Sequence, residues 1–281
     1  MPFATVNGVR LRYEREGRGA RVVLVHGSWG DHESWRAVGP LLARDLEVVT
    51  YDRRGHSASE APPGQGSIVD DVDDVAGLIA HLGPERAHLV GTSAGATIVL
   101  LAAVAYPHLL LTASANEPDQ FQLIGAGAPP DALADLEALT AENVPVLELI
   151  ETGDHDEAAR RFMETVTFGP GAWDRLPDSA RRRYTVNAPT YLDQRRDPGW
   201  RSLDVGRLDA SPVPLQLLCG DQTRPAFQAV VHALAGQVRR ARVSVLEGCG
   251  HASAATHPES FASALRAFWQ EVGGSAAVPP G

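Results

Sequence analysis

The sequence predicts an α/β protein, with a mostly parallel central sheet flanked by helices on both faces and a helical insertion in its second half. Three observations predict this. Short continuous apolar runs end in glycine or polar residues, as strands buried on both faces of a parallel sheet do. Between them lie longer stretches with helical apolar spacing, and such alternation implies strand–helix–strand units. From residue 119 to 211 the alternation stops, leaving helical patterns and no convincing strand.

The elements can be justified in order. FATVNGVRLRYERE has two alternating runs around Asn7-Gly8, a strong hairpin signal. RVVLVHGS is a continuous apolar run closed by glycine. HESWRAVGPLLARD has helical spacing at Trp35, Val38, Leu41 and Leu42, and LEVVTYDRRG is a second buried strand. SIVDDVDDVAGLIAHLG repeats apolar residues on one helical face and closes at Gly83. AHLVG is a third buried strand, AGATIVLLAAVAYP the helix after it, and LLLTASANEP a fourth strand. After the insertion come the strand VPLQLLCGD, the helix RPAFQAVVHALAG, the strand ARVSVLEGCGH, read as buried like the others, and the helix PESFASALRAFWQEV. These patterns divide the chain into a core of residues 1–118 and 212–273, a helical cap of 119–211, and a small, proline-rich tail of 274–281 expected to be disordered.

Composition removes several function classes. The chain has 281 residues, 44% hydrophobic, with a formal charge of −10 from scattered carboxylates. That balance suits solubility and offers no basic patch for nucleic acid. All 25 basic residues are arginine. Without lysine there is no Schiff base for pyridoxal chemistry and no lysine-type phosphate loop. Cys219 and Cys249 read as two free thiols, since two cysteines make no disulfide framework in a chain this long. MPFATVNGVRL lacks the pattern of a signal peptide, and no run of 18 apolar residues is present to span a membrane. The expectation is a cytoplasmic protein, monomer or homodimer, acting on a small molecule without nucleic acid or membrane partners.

The chemistry concentrates in LVGTSAGATIVLL. Gly91-Thr92-Ser93-Ala94-Gly95 is the small-x-Ser-x-small pattern of a nucleophile elbow. A strand-to-helix turn this tight tolerates no bulk two residues either side of the serine. It lifts the hydroxyl clear of the sheet at the start of a helix. A serine hydroxyl needs a base. Of ten histidines, His251 follows the last strand in a glycine-bracketed loop, on the same rim of the sheet as Ser93. His257 reads as a helix-start surface residue, and His26 belongs to a glycine turn. No pair of histidines has metal-ligand spacing, so no metal is expected. Acyl transfer also needs two N–H donors for the oxyanion. Ala94, directly after the nucleophile, is one; Ser28, in HGSWG, is the other. Trp29 either walls the substrate pocket or packs in the core.

HGSWG, YDRRGHSAS, GTSAG and GCGH occur in this order at the ends of successive strands. Over nearly its whole length the chain resembles α/β-hydrolase-fold proteins with a helical cap between strands six and seven. That resemblance implies a cofactor-free hydrolase of esters, lactones, amides or related bonds. In most such proteins the acid that orients the histidine is an aspartate three residues past the glycine ending strand seven. Here that position is Thr223, and Asp221 stands only one residue past Gly220. A second location, after strand six, holds Glu117 in SANEP, where the chain is similar to zearalenone-type lactone hydrolases. Glu117 is taken as the acid, with Asp221 and then Asp119 as alternatives; Asp52 reads as structural.

Most aromatic residues of the insertion read as lid core, with Trp173 and Tyr191 expected to face the substrate. An apolar lid suits a fairly hydrophobic substrate. The expected function is a serine hydrolase of an ester or lactone, with Ser93, His251 and Glu117 as triad. Carbon–carbon bond hydrolysis or biosynthetic cyclisation on the same triad, and a non-catalytic ligand sensor, remain alternatives.

Overall fold

A computed structural model describes residues 2–275. The eight strands are β1 (Phe3–Val6), β2 (Val9–Glu16), β3 (Arg21–Val25), β4 (Glu47–Tyr51), β5 (Ala87–Thr92), β6 (Leu110–Asn116), β7 (Leu215–Gly220) and β8 (Arg242–Leu246). They form one sheet in the order β1-β2-β4-β3-β5-β6-β7-β8. The first two pairings, β1–β2 and β2–β4, are antiparallel and all others are parallel. The hairpin turns at Asn7-Gly8, with φ of 44° and 78°, the left-handed pair that a two-residue hairpin requires.

Period-two side-chain alternation explains the layers. In β3, Val23 and Val25 enter the larger core with the helices Ile68–His81 and Ala94–Ala105, while Val22 and Leu24 pack with Trp35, Phe261 and Leu265 on the other face. Ser67 caps the first of these helices by accepting the Val69 N–H. The apolar spacing of 32–45 yields a 3₁₀ turn at His32–Trp35 and one short α-turn at Gly39–Leu42, because glycine and proline break the stretch that periodicity alone reads as one helix.

β8 departs from its expected burial. It is the sheet edge, with Val243 and Val245 exposed, because nothing pairs on its outer side. Between β6 and β7 the chain is helical, chiefly Pro130–Thr152, His155–Phe162 and Asp178–Arg196. Two of these helices contain proline, Pro145 and Pro189. Trp29, Phe162, Tyr184 and Tyr191 build a separate apolar cluster under them. The last helix, Pro258–Ser275, runs two residues into the expected tail, and residues 276–281 lie outside the described residues. Among the described residues no helix is long and apolar enough to cross a membrane.

Candidate active site

Strand register places the site. Thr92 of β5 pairs with Asn116 of β6, and Asn116 with Leu218 of β7. The next residues, Ser93 and Glu117, therefore leave the sheet side by side at its carboxyl edge, and the Ser93 N–H donates to the Asn116 carbonyl at 2.8 Å. β8 ends opposite Gly220, and its exit loop carries His251 to the same rim.

Ser93 has φ 54° and ψ −121°, a strained backbone held by its surroundings. The flanking glycines have a steric cause. A Cβ on Gly91 would stand 2.2 Å from the Gly95 carbonyl oxygen, and one on Gly95 would stand 2.2 Å from the Val25 oxygen. Both obstacles are backbone and cannot rotate away.

Glu117 is fully buried, also with a left-handed φ of 49°. Its Oε1 accepts the Gly220 N–H at 2.8 Å, and its Oε2 accepts the Thr223 hydroxyl at 2.8 Å. His251 Nδ1 lies 2.6 Å from the same Oε2. A buried carboxylate is costly unless its oxygens are occupied, and three donors occupy them here. With Nδ1 committed to Glu117, Nε2 is the imidazole nitrogen left for another partner. Phe227 stacks on the ring at 4.1 Å, limiting its tilt.

Ser93 and His251 line one cavity of about 310 Å³, together with Gly27 and Ser28. The lining that comes from the helical segment between β6 and β7 is largely apolar, with Phe162, Met163, Phe168, Leu176 and Tyr184. Ala94 is buried directly behind the serine, at the first turn of its helix, where N–H groups have no intrahelical acceptor. His26 does not reach the cavity. It bridges the Gly27 carbonyl and the Arg53 N–H, and burial, with His56 and Arg53 nearby, drives its pKa well below the ordinary value.

Residues 22–264 match the alpha/beta hydrolase family. The chain belongs to that family. Zearalenone hydrolase of Bionectria ochroleuca is 25% identical over 268 residues, covering 92% of this chain and 94% of that protein. The uncharacterized hydrolase YraK of Bacillus subtilis (strain 168) is 32% identical over 171 residues, which cover 58% of this chain and 63% of YraK, less than two thirds of its length. Among solved structures, an alpha/beta hydrolase from Sphaerobacter thermophilus DSM 20745 superposes with a TM-score of 0.73 at 24% identity, covering 95% of this chain and 100% of that one. The enol-lactonase from Burkholderia xenovorans LB400 gives 0.71 at 22% identity, covering 95% and 99% of the two chains. These two share the fold of this chain.

Several expected site residues stand elsewhere. Trp29, Trp173 and Tyr191 do not line the cavity. Trp29 has a φ of 66° and is fully buried, its indole 5.1 Å from the Phe162 ring and 5.3 Å from that of Tyr191. Trp173 packs against the same cluster, and the Tyr191 hydroxyl donates to Asn143. The insertion is thick enough to need its own core, and these large rings fill it. Asp221 accepts the Gly248 N–H at 2.7 Å, while His251 Nδ1 pairs with Glu117. Asp119 accepts from Thr97 and Gln194. Asp52, fully buried, accepts from His32 Nδ1 at 2.6 Å and from the His32 and Ala58 N–H groups.

Among the described residues one trio, Asp31, His32 and Asp52, brings possible metal-ligand atoms within 4.8 Å of one another. Asp31 there accepts from the Ser57 hydroxyl and the Glu33 N–H. Burial opposes protonation of His32, but the Asp52 hydrogen bond and charge outweigh it and hold the imidazole above its ordinary pKa.

Sequence reasoning passed over Thr223 because a threonine cannot carry a charge. It stands at the usual position of the acid and donates to Glu117 instead. It also missed Phe227, whose helical spacing says only that it is buried.

Proposed function

We propose that this hydrolase cleaves an ester or lactone of a fairly hydrophobic substrate through a Ser93-His251-Glu117 triad and an acyl-enzyme. The observation that carries the reading is the short contact between Glu117 Oε2 and His251 Nδ1, beside a cavity that His251 shares with a backbone-strained Ser93. In this reading His251 Nε2 takes the Ser93 proton as Oγ attacks the carbonyl. Glu117 fixes the tautomer and stabilises the imidazolium. The N–H groups of Ser28 and Ala94 receive the oxyanion, each worth a few kcal/mol in the transition state. His251 then protonates the leaving alkoxide, and water, deprotonated by the same imidazole, releases the acid.

The apolar cap side of the cavity supports a hydrophobic substrate. Lactone cleavage draws support from the likeness to zearalenone hydrolase over 92% of the chain. Residues 119–211 serve as a lid over a core of 1–118 and 212–273. The test is a fluorophosphonate label with p-nitrophenyl ester turnover and a macrolactone screen. Ser93→Ala should keep the fold and lose both labelling and turnover. Undiminished turnover in that variant overturns the reading.

A further inference from the structure

The two oxyanion donors proposed above sit on different segments, the 26–30 loop and the helix after Ser93, so their spacing must be fixed by something that touches both. Gln194, near the end of the cap helix Asp178–Arg196, accepts from Ser28 Oγ at 2.6 Å and donates to Asp119 Oδ2 at 2.8 Å. Asp119 Oδ1 accepts the Thr97 hydroxyl at 2.6 Å, and Thr97 lies on the helix that begins at Ala94. A tie of three side-chain hydrogen bonds therefore runs from one donor residue, through the cap, to the helix of the other.

Two turns earlier on the same cap helix, Asn187 is fully buried and uses its amide outside the cap. Its Nδ2 donates to the carbonyls of Trp29 at 3.1 Å and Gly30 at 2.8 Å, and its Oδ1 accepts the Ser57 N–H at 2.8 Å. Trp29 and Ser57 are both non-glycine residues with left-handed φ, 66° and 46°. Such conformations cost about 1 kcal/mol or more each and persist only where the surroundings over-determine them. A helix that only roofed a pocket would bury apolar groups on this face, since a buried amide is costly unless its bonds are made. Here two buried amides seven residues apart make those bonds to the loop that carries Ser28 and to its neighbours.

We propose that Gln194 and Asn187 are positioning residues through which the cap sets the oxyanion hole. This rests on the serine-hydrolase reading. The cap holds the Ser28 N–H at its working distance from the Ala94 N–H, so the hole is complete only with the cap seated.

The test uses the full chain, p-nitrophenyl acetate, and an alkyl trifluoromethyl ketone, which adds the serine to give a bound oxyanion. Gln194→Met keeps the side-chain length and removes both bonds, while Thr97→Val breaks the same tie at its far end, from the helix that begins at Ala94, and also removes the acceptor of a Gln120 amide N–H. Each should lower kcat about 10- to 100-fold, less than or comparable to losing a donor outright. KM should stay within twofold, and the ketone Ki should rise by the factor that kcat falls. The double variant should be no worse than the poorer single one, and Thr97→Ser should restore activity. A loss confined to the fraction of Ser93 that a fluorophosphonate titrates, with ketone affinity per active site unchanged, would make these residues merely structural and overturn the proposal. Ser93→Ala separates the two readings. Turnover surviving in that variant defeats the hydrolase reading itself. An inactive Ser93→Ala beside Gln194→Met and Thr97→Val enzymes with kcat and Ki within twofold of the parent defeats only the positioning role.

Discussion

Replacing Glu117 by glutamine changes one atom and forces a choice the site cannot accommodate. Oε1 faces a donor, the Gly220 N–H, and Oε2 faces two more, the Thr223 hydroxyl and His251 Nδ1. A glutamine keeps only one acceptor. If its oxygen stays on Gly220, its NH₂ points at His251 and Thr223. Nδ1 must then become the acceptor, which moves the ring proton to Nε2, the atom that accepts from Ser93 in the proposed mechanism. If the amide flips, its NH₂ meets the Gly220 N–H, leaving two buried donors face to face. Each hydrogen bond to a charged group is worth about 1.5–3 kcal/mol, and the imidazolium of the transition state loses its counter-charge as well. A wrong tautomer at this position in a serine-hydrolase triad costs about 10⁴-fold in kcat. Glu117→Gln should therefore lose about 10³- to 10⁴-fold in kcat on p-nitrophenyl esters, with the fold and KM little changed. Asp221→Asn keeps an acceptor for the Gly248 N–H and should stay within about threefold, the effect of a weakened surface hydrogen bond. Steady-state kinetics with circular dichroism on both variants decides the matter. A larger loss in Asp221→Asn, or a near-normal Glu117→Gln, refutes the reasoning.

Other outcomes follow from the same packing. Gly95→Ala sets a methyl 2.2 Å from the Val25 oxygen and 2.6 Å from the His26 oxygen, so it should destabilise by about 3 kcal/mol or more in urea unfolding; a near-normal midpoint would contradict the close approach. His56 and His88 are each held from the ordinary 6.5 down to about 4, in both cases chiefly by burial, with the Arg53 charge adding at His56. Depressed folded-state values mean their contribution is full above pH 6.5 and is lost as pH falls toward 4, roughly 3 kcal/mol each at most. Melting temperature should drop across that window, and His56→Gln with His88→Gln should flatten the slope; an unchanged slope would exclude these two groups as its source. Burial, with the Glu117 and Asp221 charges, pushes the Cys219 thiol up to about 11, and Cys249 is also buried and shifted upward by burial. Iodoacetamide at pH 7.5 should label the native protein slowly and the urea-unfolded chain fast, and equal rates would show that the thiols are open.

The sequence by itself determined what is local. Apolar period marks the strands, Asn7-Gly8 marks the hairpin, and small residues two either side of Ser93 announce a turn too tight for side chains. These patterns act through neighbours in the chain, so they can be read along it. His251 was legible for a similar reason, as the histidine at the end of a strand. What only the tertiary structure decided is the partner of each polar group. The sequence ranks Glu117 above Asp221 only by resemblance, and the register of β6 and β7 separates them physically by putting Gly220, Thr223 and His251 around one and Gly248 beside the other. The aromatic residues show the same limit. Hydrophobicity says that Trp29, Trp173 and Tyr191 leave water, but three-dimensional packing chooses between a pocket wall and the apolar cluster of the helical insertion. Burial is a property of a residue type, whereas the surface it is buried against is set by contacts more than a hundred residues apart, as between Trp29 and Tyr191.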